Sequence, residues 1–282
     1  MSDIMNDIEA TGEPPKRPLR VLSFGAGVQS STLLEMGLAG DIEPFDHVIF
    51  ADTGWEPASV YENLKEYSKR CEAAGVPFHI VSNGNIREDM LSPGRHASIP
   101  VFVVGMDGQK VIGRRQCTSE YKLDPLMKKQ RELAGLKRGG RSKEHLLTTI
   151  IGISLDEIQR MRDPVFPWIR NEYPLVDLRM SRQSCLVYWA KLGKPSPPRS
   201  ACIGCPYHSD HEWRNLTAEE FADAVDFDES IRRPDTPLGE FYRSNAFLHP
   251  SRIPLSEVDL STEEDRGQGV LFDNDCLGMC GL

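Results

Sequence analysis

The cysteines are the residues of this chain whose type and spacing most directly indicate chemistry. Cys202-Ile203-Gly204-Cys205 is a C-x-x-C motif, in which two thiols can turn toward one metal ion or cluster, or close as a redox pair. The motif stands among prolines late in the chain, which disfavours a thioredoxin-like pair. A metal site on these two cysteines needs two more ligands. The sequence offers Cys117, Cys185, His208 and His211.

A glycine-rich turn between an apolar strand and a helix is the second feature that can do chemistry. In LSFGAGVQSSTLL, backbone N–H groups of the turn can converge on a phosphate, and the helix adds the positive end of its dipole. Serine hydroxyls at the start of the helix can bind phosphate oxygens. The turn is neither a Walker P-loop nor a G-x-G-x-x-G loop, because Ser30 takes the third glycine position. The candidate phosphate-binding residues are Ser23, Gly25, Gly27, Gln29, Ser30 and Ser31.

The elements around this turn predict an α/β domain. Four apolar runs are typical of buried strands, and two of the segments between them have helical patterns. The runs are Leu19–Phe24, His47–Asp52, Phe78–Asn83 and Leu146–Ile153. This order predicts a doubly wound, mostly parallel sheet with helices on both faces. Cys71 lies on the apolar stripe of the second helix, so we expect it in the core.

The predicted organisation has four segments. Residues 1–18 are acidic and polar and are expected to be disordered. Residues 19–160 form the nucleotide-binding α/β domain, and residues 161–225 form a loop-rich cap that contains cysteines. Residues 226–282 are expected to be an irregular tail that ends with the pair Cys276 and Cys280.

Composition excludes some broad classes of protein. The longest apolar runs fall far short of the ~20 residues that span a bilayer, and the N-terminus lacks the apolar segment of a secretory signal. We therefore expect a cytoplasmic protein with no membrane partner. The net charge of −9 argues against a protein that coats nucleic acid. Lys128–Lys143 is a basic stretch that could meet tRNA or DNA, although a solvated helix end is the interpretation we favour.

Several motifs together resemble one enzyme superfamily. Gly25–Ser30 is similar to the S-G-G-x-D-S loop of PP-loop ATP pyrophosphatases, with Gly25 in place of the first serine and Gln29 in place of the aspartate. Asp52-Thr53-Gly54 after the second strand resembles the same position in phosphoadenosine phosphosulfate (PAPS) reductases. Ile151–Asp163 resembles the G-I-R/S-x-D/E-E-x-x-R segment of PAPS-reductase-like sulfur enzymes. Over roughly residues 19–215 the chain is similar to the PP-loop, adenine nucleotide alpha hydrolase-like superfamily, in its PAPS-reductase-like branch.

The resemblance extends to the cysteines. Arg114–Leu126 is similar to the C-C-x-x-R-K-x-x-P-L segment of cluster-containing adenylyl-sulfate reductases. Cys117 matches the first cysteine and Lys122 the lysine, while Thr118 replaces the second cysteine. Cys185 is the substitute that we expect for the missing ligand. The resemblance thus implies a [4Fe–4S] cluster, with zinc as the alternative, on four thiolates: Cys117, Cys185, Cys202 and Cys205.

The same resemblance implies roles for other residues. Asp52, Thr53 and Gly54 would bind the nucleotide or Mg²⁺ at the carboxyl end of the sheet. Arg160 would face an anionic substrate or the pyrophosphate leaving group. Reductases of this kind also end in a mobile tail with a nucleophilic Cys-Gly, which makes Cys280 and Cys276 candidate nucleophiles.

Three functions stay open on the sequence. The favoured one binds ATP with Mg²⁺, adenylates an acceptor, and delivers sulfur through an iron–sulfur cluster or a cysteine persulfide. The second is an adenylyl-sulfate or PAPS reductase that releases sulfite through a tail cysteine. The third is a non-catalytic nucleotide- or nucleic-acid-binding module with structural zinc. The expected partners are an adenine nucleotide, a sulfur donor such as a cysteine desulfurase or a thiol reductant, and an acceptor such as tRNA or DNA. We also allow for a homodimer.

Overall fold

The computed structural model describes residues 17–93, 99–105, 107–137, 139–243 and 245–261. The predicted disorder of residues 1–16 and the tail cysteines Cys276 and Cys280 lie outside this described part. The chain groups into two compact units. The sheet unit is drawn from residues 1–50, 68–81 and 126–196, and the cysteine unit from residues 51–67, 82–125 and 197–282. The units are interleaved along the chain, whereas sequence analysis expected consecutive segments.

The described residues form the following elements. The strands are β1 (Leu19–Phe24), β2 (His47–Asp52), β3 (Phe78–Ser82), β4 (Phe102–Val104), β5 (Lys110–Ile112), β6 (Leu147–Ile151), β7 (Ile169–Glu172) and β8 (Ala246–Phe247). The α-helices are α1 (Val28–Ala39), α2 (Ala58–Ala73), α3 (Ile86–Leu91), α4 (Asp124–Leu133), α5 (Pro174–Asp177), α6 (Arg182–Lys191), α7 (Asp210–Asn215), α8 (Ala218–Ser230) and α9 (Pro237–Tyr242). A π-helix covers Thr118–Leu123, and 3₁₀ helices cover Leu155–Arg160 and Leu255–Glu257.

The sheet unit contains a five-stranded sheet in the order β3-β2-β1-β6-β7. Strand β1 pairs in parallel with β2 and with β6, and β6 pairs in parallel with β7. All five residues of β6 are buried, which explains why its sequence is a continuous apolar and threonine run. The predicted α/β fold with a parallel sheet is therefore confirmed. The strand β7 was not expected, because Pro164, Pro167 and Pro174 surround it.

A packed core holds the sheet unit together. Val21 of β1, Ile49 of β2 and Leu147 of β6 pack with Trp168 and Ile169 in one buried cluster. Each such side chain contributes roughly 1.5–3 kcal/mol when it leaves water. Arg131 of α4 lies over the ring of Trp168, so part of the basic stretch belongs to the wall of this core. The sheet is therefore a rigid platform for the loops at its edges.

The cysteine unit has its own small sheet and core. The strands β5, β4 and β8 form an antiparallel sheet in that order, and the β4–β5 hairpin agrees with the expected pair of short strands. Its core contains Trp55, Tyr121, Trp213 and Phe227. Among the described residues of both units, no helix is long and apolar enough to cross a membrane.

Helices α7 and α8 lie where sequence analysis expected loops. Each begins with a capping box, in which Ser209 and Glu212, or Thr217 and Glu220, bond each other's backbone N–H groups. Residues 226–261 also include the end of α8, the helix α9 and the strand β8. The expectation of irregular structure was therefore wrong for this part of the tail.

Candidate functional site

The glycine turn of the sheet unit has the geometry of an anion site. It connects β1 to α1, and Gly27 stands at the N-cap of the helix, where it has no side chain to occupy the N–H groups of the first turn. Ser30 Oγ accepts from Gly25 N at 3.2 Å and donates to Gly27 O at 3.2 Å. The Ser30 hydroxyl therefore braces the turn, while the first N–H groups and the helix dipole stay available to an anion.

The turn also stores backbone strain. Ala26 has a φ of +56°, in the left-handed region that a residue with a Cβ rarely adopts, and it is fully buried. Strain of this kind persists only where the surroundings hold the backbone, and it is concentrated at functional loops. The observation supports the prediction that this turn binds a ligand.

Strand β6 approaches the turn closely, and Gly152 is what permits the approach. A Cβ at Gly152 would lie 2.9 Å from Ser30 N and 3.0 Å from Ser30 Cα. Parallel pairing places Ser23 of β1 opposite Ile151 of β6, so both strands end at the same edge of the sheet. In the order β3-β2-β1-β6-β7, this edge between β1 and β6 is the topological switch point, where open α/β sheets bind ligands.

Two buried hydroxyls occur beside this switch point. Ser31 in the first turn of α1 and Ser154 after β6 are both fully buried, and neither Oγ has a hydrogen-bond partner among the described residues. An unsatisfied buried hydroxyl costs roughly 1–3 kcal/mol, so native proteins seldom keep one without a ligand or water. Ser31 was a predicted site residue, whereas Ser154 was missed.

A charged network joins the turn to the segment after β6. Glu157 is buried, and its Oε2 accepts from Gln29 Nε2 at 3.3 Å. Its Oε1 accepts from Arg160 Nη1 at 2.6 Å. The structure thus brings Gln29 and Arg160, both predicted site residues, to the two oxygens of one carboxylate that was not predicted.

The Asp52-Thr53-Gly54 segment belongs to the cysteine unit. Asp52 Oδ1 accepts from Gly54 N at 2.8 Å and from the Tyr61 hydroxyl at 3.0 Å, which forms an Asx turn. Burial, followed by weaker effects that include the nearby Asp52 and Glu56 carboxylates, raises the pKa of Tyr61, so its hydroxyl stays protonated as a donor. The role of Asp52 toward nucleotide or Mg²⁺ stays a prediction.

Three of the predicted metal ligands share one cavity of the cysteine unit. Cys117, Cys202 and Cys205 line a space of about 40 Å³, together with Thr53, Arg115 and Lys122. A cavity of this volume can hold about three groups of the size of a water molecule. Two segments more than eighty residues apart in the chain therefore place thiols and cationic side chains on the same walls.

The π-helix explains how two of these side chains reach the cavity. Cys117 is its N-cap residue, and its C-cap Asp124 donates its N–H to Ser119 O, five residues back. Because π-helical bonds join residues five apart, residues at that separation fall on nearly the same side. Cys117 and Lys122 are five apart and both line the cavity. No signal in the sequence distinguishes this π-helix from an ordinary helix start.

The thiol of Cys202 is buried and lies next to polar side chains. Its Sγ lies 3.2 Å from Thr53 Oγ1 and 3.7 Å from Glu56 Oε1. Burial first, and the Glu56 carboxylate second, raise the pKa of the Cys202 thiol well above its usual range. Without a bound cation, Cys202 is therefore a neutral thiol and a weak nucleophile.

Glu56 is a residue of this site that sequence reasoning missed. It is buried, and its Oε1 accepts from Thr53 Oγ1 at 3.0 Å, while its Oε2 has no partner among the described residues. The acidic residue after Asp-Thr-Gly was visible in the sequence, but only the fold brings it to Cys202. Gly204, in the middle of the C-x-x-C motif, packs on Trp55 so closely that a Cβ would collide with the ring.

The two histidines near the motif differ in their surroundings. His208 is buried, and its Nε2 lies 2.9 Å from Cys202 O, so this nitrogen carries the proton when the ring is neutral. Burial lowers the pKa of His208, which keeps the ring neutral. Its Nδ1 has no hydrogen-bond partner among the described residues. His211 contacts the Asn215 side chain instead.

The structure places Cys185 in the sheet unit. It lies on α6, is fully buried, and hydrogen bonds to Thr32 of α1. Burial raises the pKa of the Cys185 thiol to about 11, as it does for Cys71, whose predicted core position is confirmed. The part of Cys185 in a four-thiolate set stays a prediction.

The three cavity thiols are suitable ligands for a soft metal, but their positions in this structure are not those of a metal site. Three thiols around one cavity are the ligands that iron–sulfur clusters and zinc prefer. Within the described ranges, however, no group of three or more Cys, His, Asp or Glu side chains is arranged to hold a metal ion. Loading the site would therefore need the thiols to close around the metal.

The basic stretch after α4 is partly engaged within its own unit. Arg131 lies over the rings of Phe166 and Trp168 and donates to Gly140 O at 2.9 Å. Lys129 pairs with Glu132 at 2.6 Å. Arg131 and Lys129 are therefore engaged within the sheet unit, and the interpretation of the stretch as a solvated helix end stays a prediction.

Comparisons with known proteins give a structural likeness but no match to a family model or a curated protein. Among solved structures, the chain is similar to phosphoadenylyl-sulfate (PAPS) reductase from Candida auris in its phosphate complex, with a TM-score of 0.42 and 16% identity. The match covers 64% of this chain and 76% of that chain. At this identity the likeness concerns the fold alone, and the α/β class is established by the parallel sheet itself.

Proposed function

We propose that this protein is a nucleotide-dependent sulfur-transfer enzyme that uses ATP with Mg²⁺. The observation that carries the proposal is the cavity of the cysteine unit, where Cys117, Cys202 and Cys205 lie with Lys122 and Arg115. Cationic neighbours favour thiolates and persulfides. Burial and the Glu56 carboxylate keep Cys202 a neutral thiol while no cation is bound, and Lys122 opposes them. Structural cysteines of a core have no need of such cationic neighbours.

The glycine turn of the sheet unit supports the nucleotide part of the proposal. It presents the uncapped N-terminus of a twelve-residue helix at the switch point of a parallel sheet. The buried hydroxyls of Ser31 and Ser154 are donors that a bound phosphate would satisfy. Arg160, held by Glu157, supplies a guanidinium for the pyrophosphate that leaves.

The reaction proceeds in two balanced steps. An acceptor oxygen attacks the α-phosphorus of ATP, and the bond to pyrophosphate breaks, so the acceptor becomes an adenylate. A persulfide on a cysteine then attacks the acceptor carbon, the carbon–oxygen bond breaks, and AMP leaves. After these two steps the transferred sulfur joins the cysteine and the acceptor in a disulfide. Two thiols of a reductant then reduce it and leave as a disulfide, which releases the acceptor with its new thiol and restores the cysteine thiol. A cysteine desulfurase is the class of donor that would restore the persulfide.

A metal group has a defined place in this proposal. Cys117, Cys202 and Cys205 would hold it, with Cys185 as the fourth ligand from the sequence prediction. With the three cavity thiols alone, a [4Fe–4S] cluster would leave one iron open to bind and activate sulfur, whereas Cys185 as the fourth ligand would close that position. In either case the positive charge of the irons would make Cys202 a thiolate. Zinc on the same thiols is the alternative.

The part of the proposal that concerns the cysteines is tested on protein purified without oxygen. The measurements are its metal content and its acid-labile sulfide content. We expect iron and sulfide in the full chain, loss of both in Cys202→Ala, and retention in Cys71→Ala, a buried cysteine of the sheet unit that serves as the matched control. Cys185→Ala tests the fourth ligand. Loss of metal in this variant would support Cys185 as the fourth ligand, whereas retention would limit the protein ligands to the three thiols of the cavity.

Turnover then separates the three candidate functions. Release of AMP and pyrophosphate from ATP in the presence of a sulfur donor and acceptor supports sulfur transfer. Release of sulfite from adenylyl sulfate or PAPS would instead identify a reductase and direct attention to Cys276 and Cys280. Zinc without labile sulfide, together with nucleotide binding but no turnover, would identify a non-catalytic module.

A further inference from the structure

Glu157 is the most enclosed charged group beside the glycine turn, and the sequence motifs did not assign it a role. It is only 4% exposed, although it lies in a 3₁₀ helix whose other residues are mostly exposed. A buried carboxylate is costly unless each oxygen is bonded. Here each oxygen has a partner, namely Gln29 on one side and Arg160 on the other.

The two partners belong to different structural elements. Gln29 is the second residue of α1, directly after the turn, and Arg160 ends the 3₁₀ helix that follows β6. One carboxylate therefore spans the edge between β1 and β6 and connects the turn to the guanidinium. Among the described residues, Arg160 donates one of its five N–H groups to Glu157, and the others can be offered to an anion.

We infer that Glu157 is a positioning residue for the phosphate site, which holds Gln29 and the Arg160 guanidinium in the arrangement that receives an oxyanion. This inference rests on the proposed nucleotide binding by the same turn. A free arginine side chain must lose rotamer freedom when it binds an anion, whereas a tethered one has already lost it. The tether therefore raises anion affinity, even though Glu157 is itself negative.

A double-mutant cycle on the full chain tests this role, with inorganic pyrophosphate as the probe and titration calorimetry as the readout. Glu157→Gln keeps an acceptor for Gln29 but loses the charged bond to Arg160, and we expect it to weaken pyrophosphate binding about tenfold. Arg160→Gln should weaken binding at least as much. In the Arg160→Gln background, Glu157→Gln should have no further effect, since it acts through the arginine.

Glu35 provides the matched control. It is also a buried carboxylate of the sheet unit, it lies further along α1, and it pairs with Arg70. Glu35→Gln should lower the melting temperature about as much as Glu157→Gln but should leave the dissociation constant of pyrophosphate unchanged. If Glu157 were merely structural, Glu157→Gln and Glu35→Gln would change the melting temperature alike and would also change the dissociation constant of pyrophosphate alike.

The outcomes are distinguishable. Coupled loss of affinity in the Glu157 and Arg160 variants supports the inference. Unchanged or tighter binding by Glu157→Gln, or effects that add in the double variant, overturn it while the nucleotide site stands. Absence of binding of both pyrophosphate and ATP by the unmodified chain would overturn the nucleotide site and this inference together. If Glu157→Gln does not fold, Glu157→Asp replaces it, because the shorter carboxylate cannot contact both partners.

Discussion

Gly152→Ala is the substitution that tests most directly how the sheet edge shapes the glycine turn. The added Cβ would meet Ser30 N at 2.9 Å and Ser30 Cα at 3.0 Å. Both are backbone atoms at the start of α1, so neither can move aside without moving the helix. Ordinary contacts between such atoms are about 3.5–4.0 Å, and the turn must therefore shift by about 0.5–1 Å.

The expected losses of stability and of pyrophosphate affinity follow from that displacement. Overpacking of this kind costs about 1–3 kcal/mol of unfolding free energy, which corresponds to roughly 2–12 °C in melting temperature for a chain of this size. The N–H groups of the turn would move by the same distance. Hydrogen bonds to an anion tolerate only about 2.7–3.2 Å, so the dissociation constant of pyrophosphate should rise at least about tenfold.

Thermal unfolding followed by circular dichroism and titration with pyrophosphate measure the two effects. Gly25→Ala is the control for stability, because a Cβ there meets nothing closer than Ser30 Oγ at 3.8 Å. Its melting temperature should stay within about 2 °C of the unmodified chain. If Gly152→Ala melts and binds like the unmodified chain, the close approach of β6 to the turn is not what shapes the site.

Three further substitutions test other parts of the structure. Ala26→Gly should leave stability unchanged or raise it by up to about 1 kcal/mol in urea unfolding, because glycine adopts a φ of +56° without strain. Asp228→Asn should destabilise the cysteine unit by about 3–5 kcal/mol in the same assay, since Asp228 is fully buried and accepts from two backbone N–H groups and from Arg232. Burial lowers the pKa of His79 from 6.5 to about 4, so the unfolded chain takes up its proton first and stability falls as the pH drops from about 6.5 to 4. Unfolding at several pH values should show that His79→Gln removes about 1–2 kcal/mol of this loss, and an unchanged pH profile would contradict it.

The strands of the sheet were predictable because their sequences are short, apolar and bounded by turn residues. Leu147–Ile151 is buried along its whole length, and Leu19–Phe24 buries Val21, Leu22 and Phe24 and exposes no residue fully, so both strands carry a largely apolar signal. The strand Ile169–Glu172 was missed because its sequence, IRNE, is polar. This strand forms because it pairs with β6, and no local sequence pattern predicts that pairing.

The helices of the cysteine unit were missed for a different reason. Their start signals were present in the sequence, since Ser209 and Glu212, and Thr217 and Glu220, have the spacing of capping boxes. The proline-rich sequence before them outweighed these signals. A capping pattern followed by Trp213 or Phe227, both fully buried, predicts a packed helix better than proline content predicts a loop.

The residues of the candidate site also divide into those that the sequence predicts and those that only the fold reveals. The glycine turn was predictable, because strand, turn and helix are contiguous in the sequence. Each of Glu157 and Glu56 has one partner three residues away, Arg160 and Thr53, and such a spacing is common on any solvated helix or turn. Their other partners, Gln29 and Cys202, lie more than 120 residues away, and only the fold brings them together. Gln29 stands at the loop position where the family pattern has an aspartate, yet a carboxylate is still at its side, supplied by Glu157 of the 3₁₀ helix that follows β6.

The cysteines show why spacing alone could not predict how each thiol is surrounded. Cys185 is four residues before Trp189 on α6, both side chains are buried, and both bond Thr32. An apolar pair at that spacing is the signal of a helix face in a core. Cys202, in contrast, lies beside Glu56 and Thr53, and it shares a cavity with Lys122. Polar and charged neighbours that the core does not need are therefore the better indicator of a cysteine with a chemical role, and they come only from the fold.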